Sequence, residues 1–276
     1  MIMLRETYAL YIREMKHWYR VKIQIFMTLI QPIVWLGLFG QSFNVLGLLP
    51  PGIPGLDPAS LLSGAPDYFS YLATGMLAVI ALFTTMFAGM SLVWDRRFGF
   101  LTKLRVSPIP RGIVPVSRTG SAVTRATVQA LIVLVIALGF AYIPGLVGLT
   151  LSPDFSLLDL LGMILVLTLL AVGFSCVFIS VALAVENQET LFGLINLLNL
   201  PVMFASAALF PLAFMPAWLQ SVAKVNPLTW AADACRTFAF HNPNPIFPVW
   251  QEVLFLGIFA GIMVTISIVV ARRLLD

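Results

Sequence analysis

Apolar residues gather into six runs long enough to cross a membrane, at about 23–43, 71–93, 122–143, 157–185, 191–210 and 253–271. A helix needs about 20 mostly apolar residues to cross the hydrocarbon layer. Gln24, Gln31 and Pro32 interrupt the first run, and Pro32 cannot donate the helical hydrogen bond, which predicts a kink or a polar patch there. Arg125 and Gln129 sit near the start of the third run. A further apolar stretch, 211–240, carries Pro211, Pro216, Lys224, Pro227, Asp233 and Arg236. It predicts short helices in the outer leaflet rather than a full span, because irregular backbone at membrane depth must be satisfied by protein or water.

Ahead of the first run, Leu4, Tyr8, Tyr11, Met15, Trp18 and Tyr19 recur at three- and four-residue steps, with Arg5, Arg13, Lys16 and Arg20 on the remaining surface. This predicts an amphipathic helix over 1–22 lying flat in the membrane interface. The predicted fold is therefore all-α and polytopic: an interfacial helix followed by one transmembrane domain of six spans over 23–276. Charges continue to Lys22, so the start does not read as a secretory leader.

Composition removes the main alternatives. Hydrophobic residues make up 60% of the 276 residues, about 67% with the 19 Gly. Charged residues make up 10%, against roughly 25% in soluble domains. So few charges cannot clothe a soluble enzyme of this length, a disordered chain or a nucleic-acid binder. Cys176 and Cys235 lie in apolar surroundings and form neither a zinc pattern nor a disulfide framework.

The placement of charge sets orientation. Arg5, Arg13, Lys16, Arg20 and Lys22 precede the first span, and Arg96, Arg97, Lys103, Arg105, Arg111 and Arg118 lie between the second and third. Arg272 and Arg273 follow the sixth, whereas the loops at 44–70 and 144–156 carry only aspartates. Short Lys/Arg-rich loops stay inside, so both termini are expected in the cytoplasm. The outer loop 44–70 is rich in Pro and Gly, which resists long helices.

Between the second and third spans, DRRFGFLTKLRVSPIPRG (95–112) alternates charge with Phe98, Phe100, Leu101 and Leu104. It reads either as a contact for a cytoplasmic partner or as a positive-inside anchor. Gln31, Gln129, Asn196 and Asn199 lie within spans and read either as path lining or as interhelical glue. Gly257 and Gly261 form a Gly-x-x-x-Gly pair in the sixth span. The chain has no Gly-x-x-x-x-Gly-Lys-Ser/Thr loop and no His-Glu-x-x-His. An ion-coupled secondary transporter would want a carboxylate on the path, and only Asp159 and Glu186, at span ends, offer themselves. An intramembrane lipid-modifying enzyme would want clustered His, Asp or Glu, and the sequence has no such cluster.

Three stretches resemble the permease subunits of ABC-2 type export systems, the family of daunorubicin-resistance and nodulation-factor exporters. They are Arg13, Glu14, Lys16 and Arg20 ahead of Gln31-Pro32; RRFGFLTKLRVSPIPR (96–111); and VNPLTWAADACR (225–236) before the last span. The chain departs from many relatives in lacking an acid within Arg97-Phe98-Gly99-Phe100. The resemblance implies a non-enzymatic transport subunit of the inner membrane, paired with a second permease chain, identical or related. It also implies two cytoplasmic ABC ATPase subunits, which carry the Mg-ATP; this chain would bind no cofactor. Arg96, Arg97, Phe98, Phe100, Leu101, Lys103, Leu104 and Arg105 would form the ATPase-coupling helix. Asn226, Pro227, Trp230 and Arg236 would belong to the short outer helices closing the path. Its sparse polar lining points to a lipid-like or amphipathic substrate, with drugs and glycans within the family's range.

Overall fold

The structure is a computed structural model, which describes residues 2–43, 61–99, 112–185, 187–242 and 245–275. Its elements run in the order α1 (Ile2–Arg20), α2 (Lys22–Val34), a π-helical extension (Trp35–Gly40), α3 (Tyr68–Arg97), α4 (Ile113–Phe140), α5 (Leu157–Ala184), α6 (Gln188–Phe204), α7 (Ala217–Lys224), α8 (Pro227–Phe240) and α9 (Val249–Leu275). A short 3₁₀ turn, Leu212–Phe214, separates α6 from α7.

The protein is an all-α, multi-pass membrane protein. Four helices, α3, α4, α5 and α9, are long and apolar enough to cross a membrane, and the bent pair α1–α2 raises the number to five. The two limbs of that pair meet at 66°. α6 has 17 residues and ends at Phe204, short of the run expected to 210. A helix of that length rises about 25 Å, less than the ~30 Å hydrocarbon layer.

α3 is the hub. It packs against α4, α5, α6 and α8, and 78% of its most apolar stretch is buried, against 17% for α9. Its first turn is set by Asp67, whose carboxylate accepts the Ser70 backbone N–H at 2.7 Å. α5 begins with a capping box between Ser156 and Asp159. Gly89 lets α3 approach α5 closely, because a Cβ there would press on the Phe178 carbonyl.

Two expectations shift. The helix does not break at Gln31-Pro32. It runs through Pro32 and loosens one turn later into the π-helix, where the Trp35 N–H reaches both the Gln31 and Pro32 carbonyls. α4 starts at Ile113 rather than 122. Hydropathy conceals this early turn because it holds Arg118, which the fold buries and pairs.

Candidate functional site

Three polar regions interrupt the apolar bundle. At the end that carries α1, an ion network joins three helices. Arg13 of α1 makes a two-pronged contact with Asp95 of α3, at 2.9 and 2.7 Å. Arg118 of α4 bonds the same carboxylate and Ser91. Glu14 completes the quartet, 3.5 Å from Arg13 and 3.6 Å from Arg118. Two guanidiniums thus face two carboxylates, and their charges cancel. The Tyr11 hydroxyl meets Thr124 at 3.1 Å, so α1 is fastened to the bundle and does more than float on it. Arg125, buried nearby, bonds back to the Ser121 carbonyl at 3.2 Å.

The residues expected to contact an ATPase divide. Arg96 donates to the carbonyls of Val185 and Leu183, each at 2.8 Å, and so closes the C-terminal end of α5. Arg97 and Phe98 instead point outward, Phe98 being 82% exposed. Arg97 borders an open cleft of about 790 Å³ shared with Val93, Arg96, Asn187, Gln188, Glu189 and Phe192, whereas Phe98 faces a cavity beside α1. Phe100, Leu101, Lys103, Leu104 and Arg105 lie outside the described residues, as does Glu186.

Within the bundle, Gln129 is buried and fully used. Its amide donates to the Thr28 hydroxyl at 2.7 Å and its oxygen accepts from Thr84, tying α2, α3 and α4 together. Asn199 is buried too, with its amide 3.3 Å from the Met86 sulfur. Asn196 is exposed on α6, beside Leu197 and Phe192, and Gln31 is half-buried. α6 buries only Leu191, Ile195, Asn199 and Met203, a single stripe at four-residue steps, and leaves the rest of its surface uncovered.

The third region lies at the opposite end of the bundle. There the chain leaves α6 and runs without helical pairing, and side chains from other helices satisfy its carbonyls. Asn226 donates to Val202 and Ala205 at 2.7 and 2.8 Å. Tyr71 donates to Ala207 at 2.6 Å, Arg236 to Ala208 at 3.0 Å and Tyr68 to Leu209 at 3.1 Å. The Ala207 N–H reaches Thr229 at 3.0 Å. Asn226 also caps α8 by accepting the Leu228 N–H at 2.9 Å, with Pro227 at the first helical position. Trp230 donates to the Lys224 carbonyl at 2.7 Å and so closes α7. The motif VNPLTW is thereby a set of caps that folds one non-helical corner. Gly75 lets α3 approach this corner, since a Cβ there would overlap the Ala208 carbonyl oxygen.

Asp159 is committed to its capping box and lies 3.6 Å from His241. Among the described residues no group of three or more metal-ligating side chains occurs. Sequence reasoning missed Asp95 and Arg118 as a pair and Tyr68 and Tyr71 as carbonyl donors. A lone acid beside two arginines was the available sign for the first; the second had none.

The similarity to known proteins covers most of this architecture. Residues 5–240 match the ABC-2 type transporter family. A putative transport permease, ycf38, of Porphyra purpurea is 30% identical over 84% of this chain and 73% of its own length. The ycf38 protein of Cyanophora paradoxa is 28% identical over 91% of this chain and 79% of its own. A daunorubicin resistance ABC transporter permease protein, DrrB1, of Streptomyces coeruleorubidus is 22% identical over 87% and 76%. With the match running from α1 through α8, the chain belongs to the ABC-2 type transporter family.

Proposed function

We propose that this chain forms the membrane path of an ATP-driven exporter and takes its energy from a separate cytoplasmic ATPase. Six crossings are completed when α6 is extended by the side-chain-satisfied corner, with both termini in the cytoplasm of the inner membrane. A second permease chain covers the exposed apolar surface of α6, around Phe192, Asn196 and Leu197. The cargo is amphipathic, in keeping with the drug-resistance permease among the relatives.

One observation carries this reading. α3, the most buried helix, ends at one side in the exposed Arg97 and Phe98 and begins at the other with Tyr68 and Tyr71, which hold the corner's carbonyls. Thirty helical residues form a rod about 45 Å long. A push on Phe98 from an ATPase groove therefore reaches the corner through one packed element, and packed interfaces move between discrete arrangements.

The test is purification of the chain from its native membrane in mild detergent, with mass spectrometry and an ATPase assay. A P-loop ATPase should be recovered in stoichiometric amount and lost in the Arg97→Glu/Arg105→Glu variant while membrane insertion persists. A stable preparation with no ATPase and no nucleotide hydrolysis would overturn the reading in favour of an ion-coupled transporter.

A further inference from the structure

A cavity of about 590 Å³ lies between α1 and the end of α3. Its lining is of two kinds. Ala9, Ile12, Trp94 and Phe98 form apolar walls, and Arg13, Lys16, His17 and Arg20 bring cationic or titratable groups to the α1 side. Glu14, Asp95 and Ser91 complete it. The carboxylates are already committed, because Asp95 and Glu14 balance Arg13 and Arg118. Lys16 and Arg20 have no carboxylate within ion-pair distance among the described residues, and both are exposed. The pocket thus keeps a surplus of two positive charges over a neutral floor. Its volume falls within the range of about 300–1,000 Å³ common for small-ligand sites.

We propose that this pocket binds the phosphate of an anionic phospholipid, with Lys16 and Arg20 on the headgroup and Trp94, Ile12 and Ala9 against the glycerol and upper acyl chain. Charge and wall chemistry agree on this class. A soluble anion has no use for the apolar side. A zwitterionic lipid carries a cation that Lys16 and Arg20 repel. The setting agrees as well: Tyr8 and Tyr19 of α1 and Ile23, Phe26 and Met27 of α2 are exposed apolar side chains next to the cavity's own helix, as at a lipid surface. Basic pockets between membrane helices take such headgroups, and clustered Lys and Arg draw anionic lipid. The pocket's floor is the Arg13–Asp95 contact, one residue before Arg96 and two before Arg97. A bound headgroup would therefore bear on the start of segment 95–112. The assignment does not depend on an ATPase or on the transport reaction.

The test is native mass spectrometry of the purified chain in mixed micelles of phosphatidylglycerol and phosphatidylcholine. Wild type should retain phosphatidylglycerol selectively. Lys16→Gln/Arg20→Gln should lose on the order of 25-fold in that retention, with each cation contributing about fivefold. Arg272→Gln/Arg273→Gln removes two exposed cations from the last turn of α9, far in sequence from the cavity, and should retain the lipid as wild type does. Lys16→Arg should also behave as wild type, which guards against a folding artefact. Millimolar inorganic phosphate should not displace the lipid. Equal retention of both lipids, an equal loss in the α9 variant, or displacement by inorganic phosphate would each overturn the assignment. So would unchanged lipid retention in Lys16→Gln/Arg20→Gln accompanied by loss of a co-purifying protein, which would make the patch a protein contact.

Discussion

The Arg236 guanidinium lies 3.6 Å from the centre of the Tyr71 ring, and the two side chains hold neighbouring carbonyls of one corner. Tyr71 takes Ala207 and Arg236 takes Ala208. Arg236 also reaches the Tyr71 backbone carbonyl at 3.2 Å, so α8 and α3 are joined directly by two contacts as well as through the corner. Both side chains are fully buried. The stacking orients the guanidinium, and the guanidinium in turn fixes where the corner sits relative to the hub helix.

Arg236→Lys keeps the charge and loses the planar stack. It should lower stability by about 2 kcal/mol, since a buried donor set is replaced by a point charge. Tyr71→Phe should cost about 1–2 kcal/mol through the orphaned Ala207 carbonyl. Thermal unfolding in detergent of both single variants and the double variant measures the coupling. Simple additivity would mean that the two contacts act independently.

Asn226→Ala should cost about 2–4 kcal/mol, summing a lost N-cap and two buried carbonyls left without a donor. Asn226→Asp separates the two roles. Aspartate caps a helix as well as asparagine does, but it brings oxygen rather than N–H to Val202 and Ala205. The Asp variant should therefore fail as fully as Ala does, read as loss of folded protein by size-exclusion chromatography. Wild-type behaviour of Asp would reduce Asn226 to a cap.

The long apolar helices were legible because apolar length is a local property: 157–185 differs from α5 by one residue at its end, and 71–93 lies wholly within α3. What failed depended on pairing across long separations. Arg118 looks like a loop charge until Asp95 and Glu14 are beside it, and so hydropathy does not reveal the helical residues 113–121 ahead of the apolar run. The corner after Phe204 looks like continuing helix, because Ala205, Ala207 and Ala208 carry no sign that tyrosines more than a hundred residues away will hold their carbonyls. The motif at 225–236 was visible by resemblance, but its role as a two-sided cap rests on where α6 ends.

Gly75→Ala places a methyl against the Ala208 carbonyl oxygen, where backbone cannot yield cheaply. Overpacking of this kind costs about 1–3 kcal/mol. Gly257→Ala, on α9, meets nothing within 4 Å in this chain. It should leave the unfolding temperature unchanged or raise it slightly, since alanine is the better helix former by about 1 kcal/mol, and comparing the two melting curves checks both statements. A fall in oligomer size for the Gly257 variant alone would place a neighbouring chain on that face.

Asp95→Asn leaves Arg13 and Arg118 facing each other with only Glu14 between them. Arg13 is partly exposed, but Arg118 is buried and loses its shortest ion pair, so the cost should be about 3–5 kcal/mol. Hydrogen exchange should rise across α1 and stay unchanged in α5. Protection of α1 equal to wild type would show that Tyr11 and apolar contact alone hold it.

Topology has a direct check, since both native cysteines are buried. Tyr142→Cys, at a position 89% exposed, should react with an impermeant thiol reagent added outside cells. Phe98→Cys, at a position 82% exposed, should react only after the membrane is opened. The reverse pattern would invert the orientation.

The corner between α6 and α7 also constrains how the protein is made. Its carbonyl partners come from α3, synthesised more than a hundred residues earlier, and from α8, synthesised afterwards. While the ribosome is still building α7, Val202, Ala205 and Ala208 have no donor, and the segment has no reason to stay in hydrocarbon. In the proposed six-crossing arrangement the segment waits outside the hydrocarbon until Asn226 and Arg236 emerge, then enters as one unit with α8. A substitution in that short stretch of α8 is therefore expected to show itself first as degraded nascent chain, before any defect in transport can be measured.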